Sequence, residues 1–134
     1  MIRRRFAQGR VARLATVDRS GHPHIVPVCF ALEGDQVITA VDHKPKTTTS
    51  LRRVLNVRAN PAVSLLVDQY DEDWEQLWWI RLDGQAWIVP GDHPDFEPVI
   101  APLLEKYRGQ YGLHSLPGPA IVVDVERWVG WSAR

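Results

Sequence analysis

Regular patterning begins at Val11. From Val11 to Asp18 (VARLATVD) the run is short and rich in β-forming residues, predicting a strand, and Arg19-Ser20-Gly21-His22-Pro23 supplies a turn. A second strand is predicted over His24 to Leu32 (HIVPVCFAL), with Pro27 marking an edge or a bulge. Glu33-Gly34-Asp35-Gln36 turns the chain into a third, Val37 to Val41, so the opening reads as an antiparallel meander. The period then lengthens. Lys46 to Ser50 offers N-cap side chains, Leu51, Val54 and Leu55 follow at helical spacing, and Asn60-Pro61 closes a short helix. Ala62 to Val67 returns to strand. Asp83-Gly84 between Leu77–Leu82 and Gln85–Val89 predicts a two-residue hairpin, pairing Leu82 with Gln85, Ile80 with Trp87 and Trp78 with Val89.

A longer helix is marked by Phe96, Val99, Ile100, Leu103, Leu104, Tyr107 and Tyr111 on one stripe. Pro98 and Pro102 within it predict a late start or a kink. Ala120 to Val125 and Glu126 to Trp131 predict one long or bent closing strand. The sum is a mainly β (α+β) chain of six to seven antiparallel strands with one short and one longer helix. A small closed or split β-barrel hides the edges of that much sheet better than a flat layer does. Residues 1–134 are the size of one domain, without repeats or a linker.

Composition narrows the function classes. Sixteen basic residues balance sixteen acidic ones, so no net field draws the chain to nucleic acid or to a membrane surface. The arginines at 3, 4, 5, 10 and 13 precede no apolar signal core, and no run approaches the roughly 20 apolar residues of a membrane span. The expected location is the cytoplasm. The triple arginine Arg3-Arg4-Arg5 reads as a helix face. The single cysteine, Cys29, lies in an apolar run and reads as a buried, inert thiol. Six tryptophans must be buried, or shared with a partner or a planar ligand. Trp78 and Trp79, being adjacent, point to opposite faces of their strand.

Dinucleotide and nucleotide-phosphate loops, a nucleophile elbow and zinc motifs have no counterpart in the sequence. His43 to Ser50 (HKPKTTTS) places Lys44, Lys46 and Thr47 before a helix, where cations and backbone donors make an anion seat; a solvated basic loop is the competing reading. His22 and His24, two apart on a strand, are compatible with a metal pair but lack a third ligand nearby, so no metal is expected. Asp68, Asp71, Glu72 and Asp73 form an acidic loop before Trp74, conceivable as oxygen ligands for a cation and more simply a solvated loop.

In order and spacing, Arg13-Leu14-Ala15-Thr16-Val17-Asp18, Gly21-His22-Pro23-His24, Val26-Pro27-Val28, Leu51 to Asn56 closed by Asn60-Pro61, Val63 to Asp68 and Gly84-Gln85-Ala86 resemble the pyridoxamine-5′-phosphate-oxidase-like split-barrel flavoproteins. Within them the chain looks most like the actinobacterial branch of coenzyme F420-dependent oxidoreductases. The likeness spans roughly residues 8 to 132. It implies a homodimer with cofactor sites at the subunit interface. Arg53 and Asn56 match the positions that hold the cofactor phosphate, with Arg53 where the family usually has lysine; Lys44 and Lys46 stand close enough in sequence to supply that lysine. Pro27 and Val28 match the segment along the cofactor ring, and Trp78 or Trp79 of a partner chain would close the site. The implied activity is F420H2-dependent reduction of a small planar conjugated substrate. A Lys/Arg-rich mouth of Lys44, Lys46, Arg52, Arg53 and Arg58 suits the polyanionic tail of that cofactor. No catalytic side chain is assigned; a proton could come from Tyr70, His24 or water. The alternatives are an FMN-dependent oxidase or reductase, and a non-catalytic carrier of cofactor, haem or tetrapyrrole using one of the five histidines. Pyridoxamine-phosphate oxidation itself is not expected, because the ending Gly130-Trp131-Ser132-Ala133-Arg134 lacks the Arg-x-His-type signature.

Overall fold

A computed structural model describes residues 2–42, 49–112 and 114–134, the side chains of 49–51 excepted. Seven strands form one antiparallel sheet: β1 (Ala12–Val17), β2 (Pro23–Val28), β3 (Ala31–Glu33), β4 (Gln36–Ala40), β5 (Ala62–Gln69), β6 (Trp78–Val89) and β7 (Ala120–Ser132). Their order across the sheet is β2-β1-β5-β6-β7-β4-β3. The sheet curls into a split β-barrel. The helices are α1 (Ile2–Ala7), α2 (Thr49–Ala59), α3 (Phe96–Lys106) and α4 (Arg108–Tyr111).

The interior of the curl is filled by Leu14, Phe30, Val37, Leu65, Leu82, Ile121 and Val123, with Phe6 of α1 as a plug. The Phe6 ring lies 4.9 Å from Phe30 and meets Trp128 edge-on at 5.3 Å, both favourable aromatic geometries. A second apolar layer lies outside the sheet, where Phe96, Ile100, Leu103 and Tyr107 of the α3 segment cover Ala120 and Val122. The first half of β7 is therefore buried on both faces, which is why it reads AIVV without a polar alternate. The aromatic-aliphatic stripe is realised as expected, with the late start: α3 begins at Phe96, leaving Pro98 in its first turn and Pro102 inside.

Three expectations are corrected. Asp83-Gly84 is not a hairpin turn; β6 runs straight through it, with Ser64 opposite Asp83 on β5 and Arg127 opposite it on β7. The glycine serves close approach instead. A Cβ at Gly84 would meet the Asp124 carbonyl oxygen at 2.2 Å, and the register slips there, leaving Glu126 as the extra residue of a bulge. Long-range pairing on both sides outweighs the local turn signal. The run His24–Leu32 is likewise not one strand: it breaks at Cys29-Phe30, and its halves, β2 and β3, lie at opposite ends of the sheet order, so there is no meander. On α2 the buried face is Val54, Asn56 and Val57, while Leu55 is exposed; Asn56 turns inward because its amide finds a partner there.

Candidate functional site

The break between β2 and β3 shapes a recess. The Cys29 carbonyl accepts a bond from Thr39 Oγ1 at 2.7 Å. The Phe30 amide donates to Tyr107 Oη at 3.2 Å, and that hydroxyl donates to the Arg10 carbonyl at 2.9 Å. Both peptide groups of the break are thus satisfied by side chains, and the segment is fixed without ladder bonds. Above it opens a cavity of about 360 Å³, lined by Pro27, Val28 and Cys29 on one wall, Thr39, Ala40 and Asp42 on another, and Arg53, Tyr111 and Val11 around them. Three of the residues singled out in the sequence, Pro27, Val28 and Arg53, meet here although they come from different elements.

The recess is electrostatically distinctive. Burial presses the Arg53 guanidinium below its ordinary value, and Asp42 pulls in the opposite direction; at neutral pH the group remains charged. Burial raises the Tyr111 hydroxyl, with Cys29 and Asp42 adding to the effect, so this phenol holds its proton throughout the physiological range. Behind the wall, Lys106 Nζ donates to the Gly9 carbonyl at 2.6 Å and stands 3.8 Å from the Phe30 ring centroid. Burial, then the neighbouring Arg10, pushes this ammonium down to about 8.

Of the other expected site residues, the described ones do not line this recess. Asn56 is 2% exposed, and its Nδ2 donates to Thr16 Oγ1 at 3.0 Å, tying α2 to β1. Trp78 lines a separate cleft of about 770 Å³, its ring carrying the Arg5 guanidinium at 5.1 Å. Trp79 stands between Asp68 and Trp131 in the register and lines neither space. Lys44, Lys46 and Thr47 lie outside the described residues.

Cys29 is exposed, correcting the expectation of a buried thiol. A run as apolar as VPVCFA carries no mark of where its strand ends, so the recess-lining cysteine was not legible. Tyr111 was read as core, which its position on the apolar stripe favours; only the fold shows it lining the same recess as Arg53. His22 sits in the turn before β2, not on a strand with His24, and its Nδ1 is 3.2 Å from Asp18 Oδ2. Among the described residues no three His, Cys, Asp or Glu side chains cluster to hold a metal. In the acidic loop Asp73 caps a turn of 3-10 helix over Trp74–Gln76 by accepting from the Glu75 amide.

A curled seven-stranded sheet with a recess at its split edge defines the class: a split-barrel protein. The family described as pyridoxamine 5′-phosphate oxidase matches residues 2–132, and the chain belongs to it. Among solved structures it is similar to a conserved hypothetical protein from Mycobacterium tuberculosis, at TM-score 0.74 and 22% identity over 96% of this chain and 81% of that one. A FAD-binding protein from Mesorhizobium loti superposes at TM-score 0.70 and 21% identity, covering 96% and 90%. HutZ, the heme storage protein from Vibrio cholerae, gives TM-score 0.71 and 20% identity over 98% and 91%. At these identities the likeness is one of fold. No curated protein matches the chain in sequence. No helix among the described residues is long and apolar enough to cross a membrane.

Proposed function

We propose that this chain is a cytoplasmic oxidoreductase that binds a flavin-type cofactor, coenzyme F420 with FMN as the alternative, and reduces a small planar conjugated substrate. The observation that carries this reading is the meeting of Arg53 with the Pro27–Val28 segment in one recess. Its volume, about 360 Å³, falls within the roughly 300–1,000 Å³ of small-molecule pockets. The donor set fits a phosphate-bearing conjugated ring: a charged fork at one wall, extended backbone along another, and the Thr39 and Tyr111 side chains beside them. When bound, the reduced cofactor supplies the hydride.

The residues themselves bind, orient and exclude water. Arg53 holds the phosphate, with Lys44, Lys46 and Thr47 extending the anion seat toward an acidic tail. Pro27 and Val28 lie along the ring. Asn56 sets the position of α2 through Thr16. Tyr111 keeps a proton at Oη on the recess wall. A second copy of the chain completes the site. Pro27 and Ile25 share the outer face of β2, and Ile25 is 64% exposed, so a second copy covering that face also closes the recess, with Trp78 or Trp79 as its aromatic.

Binding of F420 and of FMN to the purified protein, measured in parallel by fluorescence, tests the reading. F420 binding alone supports it, FMN binding alone moves the protein to the flavin alternative, and binding of neither refutes both. Arg53→Ala combined with Lys46→Ala is expected to weaken cofactor affinity several-fold with little change in thermal midpoint; unaltered affinity removes these residues from the site. A haem or tetrapyrrole carrier is the second reading, favoured by one feature: His24 Nδ1 is a buried ring nitrogen without a hydrogen-bond partner. A haem titration of His24→Ala against the unmodified protein tests it.

A further inference from the structure

The larger cleft, about 770 Å³, is separate from the recess but shares Val11 with it as a common wall. Its lining is basic in a chain whose net charge is zero: Arg5, Arg10, Arg13 and Arg134 converge there, from α1, the following loop, β1 and the chain end. Two carboxylates partly offset them, Asp68 at 3.4 Å from Arg13 and Glu75 at 3.9 Å from Arg134. Both are exposed pairs at long distance, held weakly and easily exchanged for a better anion. Arg5 and Arg10 have no carboxylate partner among the described residues: Arg5 lies over the Trp78 ring at 5.1 Å, while Arg10, over Tyr107 at 4.4 Å, donates to the Lys106 carbonyl at 3.4 Å and to Gln110 Oε1 at 3.5 Å and so adds charge to the cleft rather than a free fork. The cleft therefore offers guanidinium forks for a carboxylate beside an indole face for a conjugated ring.

We propose that this arginine cleft is the seat of an anionic planar acid, a carboxylate attached to a conjugated ring. Its role as substrate end rests on the cofactor reading of the adjoining recess; the binding itself does not. Arg5 leaves the Trp78 face to engage the carboxylate with Arg13, the conjugated ring takes its place on the indole, and Val11 separates this ligand from the recess by the width of one side chain.

The test is a calorimetric titration of the cofactor-free protein with 2-naphthoate, beside 2-naphthamide as the uncharged isostere and inorganic phosphate as a competitor. The expected result is naphthoate binding that naphthamide does not reproduce and that falls about tenfold in Arg5→Gln, the loss of one charge-assisted bond. Arg134→Gln, an exposed side chain beyond β7 whose one ion pair is at 3.9 Å, is expected to weaken it as well, while Arg19→Gln, on the exposed β1–β2 turn, leaves it unchanged. Equal binding of acid and amide, or unchanged affinity in both cleft variants, overturns the proposal. Phosphate that displaces naphthoate at naphthoate's own concentrations also overturns it, by showing a seat for any anion. Because no cofactor is present, naphthoate binding without F420 or FMN binding would count against the proposed function alone.

Discussion

Lys106 makes the stability of this fold rise with pH. A lysine ordinarily releases its proton near 10.5, whereas in the fold Lys106 does so near 8, because burial and Arg10 both disfavour the ammonium. Between those values the unfolded chain binds more protons than the native one, so unfolding becomes harder as pH rises through the window. Below about 8 the charged form is tolerated at a cost to the fold; above 10.5 the cost is gone. Fully expressed, the gap corresponds to roughly 3 kcal/mol, at about 1.36 kcal/mol per pH unit. Lys106 is only half-buried, and screening by solvent reduces that by about half. Between about pH 7 and about pH 9.5 somewhat more than half of the remainder is recovered, about 1 kcal/mol. For 134 residues this raises the thermal midpoint by about 3–4 °C. The raised hydroxyls of Tyr107 and Tyr111 act in the opposite sense, but only as pH nears 10. Lys106→Met keeps the stem against Phe30 and removes the charge, so its midpoint is expected to stay flat over the same range. Calorimetric scans at closely spaced pH values decide the matter. A wild-type midpoint that does not rise, or a variant that follows the wild type in parallel, refutes the reasoning.

Other perturbations give separate readouts. Gly84→Ala drives a methyl into the Asp124 carbonyl, a backbone atom that cannot step aside, and is expected to cost about 3 kcal/mol or more, read as a lowered urea midpoint. Asn56→Ala deletes the bond to Thr16 in a fully buried setting; a loss of about 1–3 kcal/mol is expected by the same assay, and a neutral result would mean that α2 is positioned by Val54 and Val57 alone. At Asp83 burial opposes ionisation, but the Ser64 hydroxyl, Arg81 and Arg127 outweigh it and hold the carboxyl below its ordinary value. Its stabilising contribution is therefore present above the ordinary carboxylate range and lost as pH falls through and below it; in Asp83→Asn the acid limb of the stability profile should be shallower.

Where a segment's partner is its own neighbour or its period is unambiguous, the sequence was readable. β1, the presence of α2 with its Asn60-Pro61 stop, and the stripe from Phe96 to Tyr107 emerge as expected, although the buried face of α2 does not. Readability failed where distant strands decide. Asp83-Gly84 has the chemistry of a turn, yet it lies between β5 and β7, whose ladders hold it extended. The uniform apolarity of Val26 to Leu32 conceals a break whose peptide groups are claimed by Thr39 and by Tyr107, the latter 77 positions away from Phe30. The candidate site was half-legible: Arg53, Pro27 and Val28 were named through the resemblance to the family, whereas Tyr111 and Cys29 join them only through the tertiary fold.

The bonds from Lys106 to Gly9 and from Tyr107 to Arg10 each join residues 97 positions apart. Contacts of that span return nothing until almost the whole chain is in place, because the loop they close must first be drawn together. The α1 segment and the loop after it are thus expected to dock late in folding. Substitutions at Phe6 or Gly9 should leave the folding limb of a chevron nearly unmoved and raise the unfolding limb. The α1 segment is a latch on the finished barrel, expected to govern how long the native state lasts more than how quickly it forms.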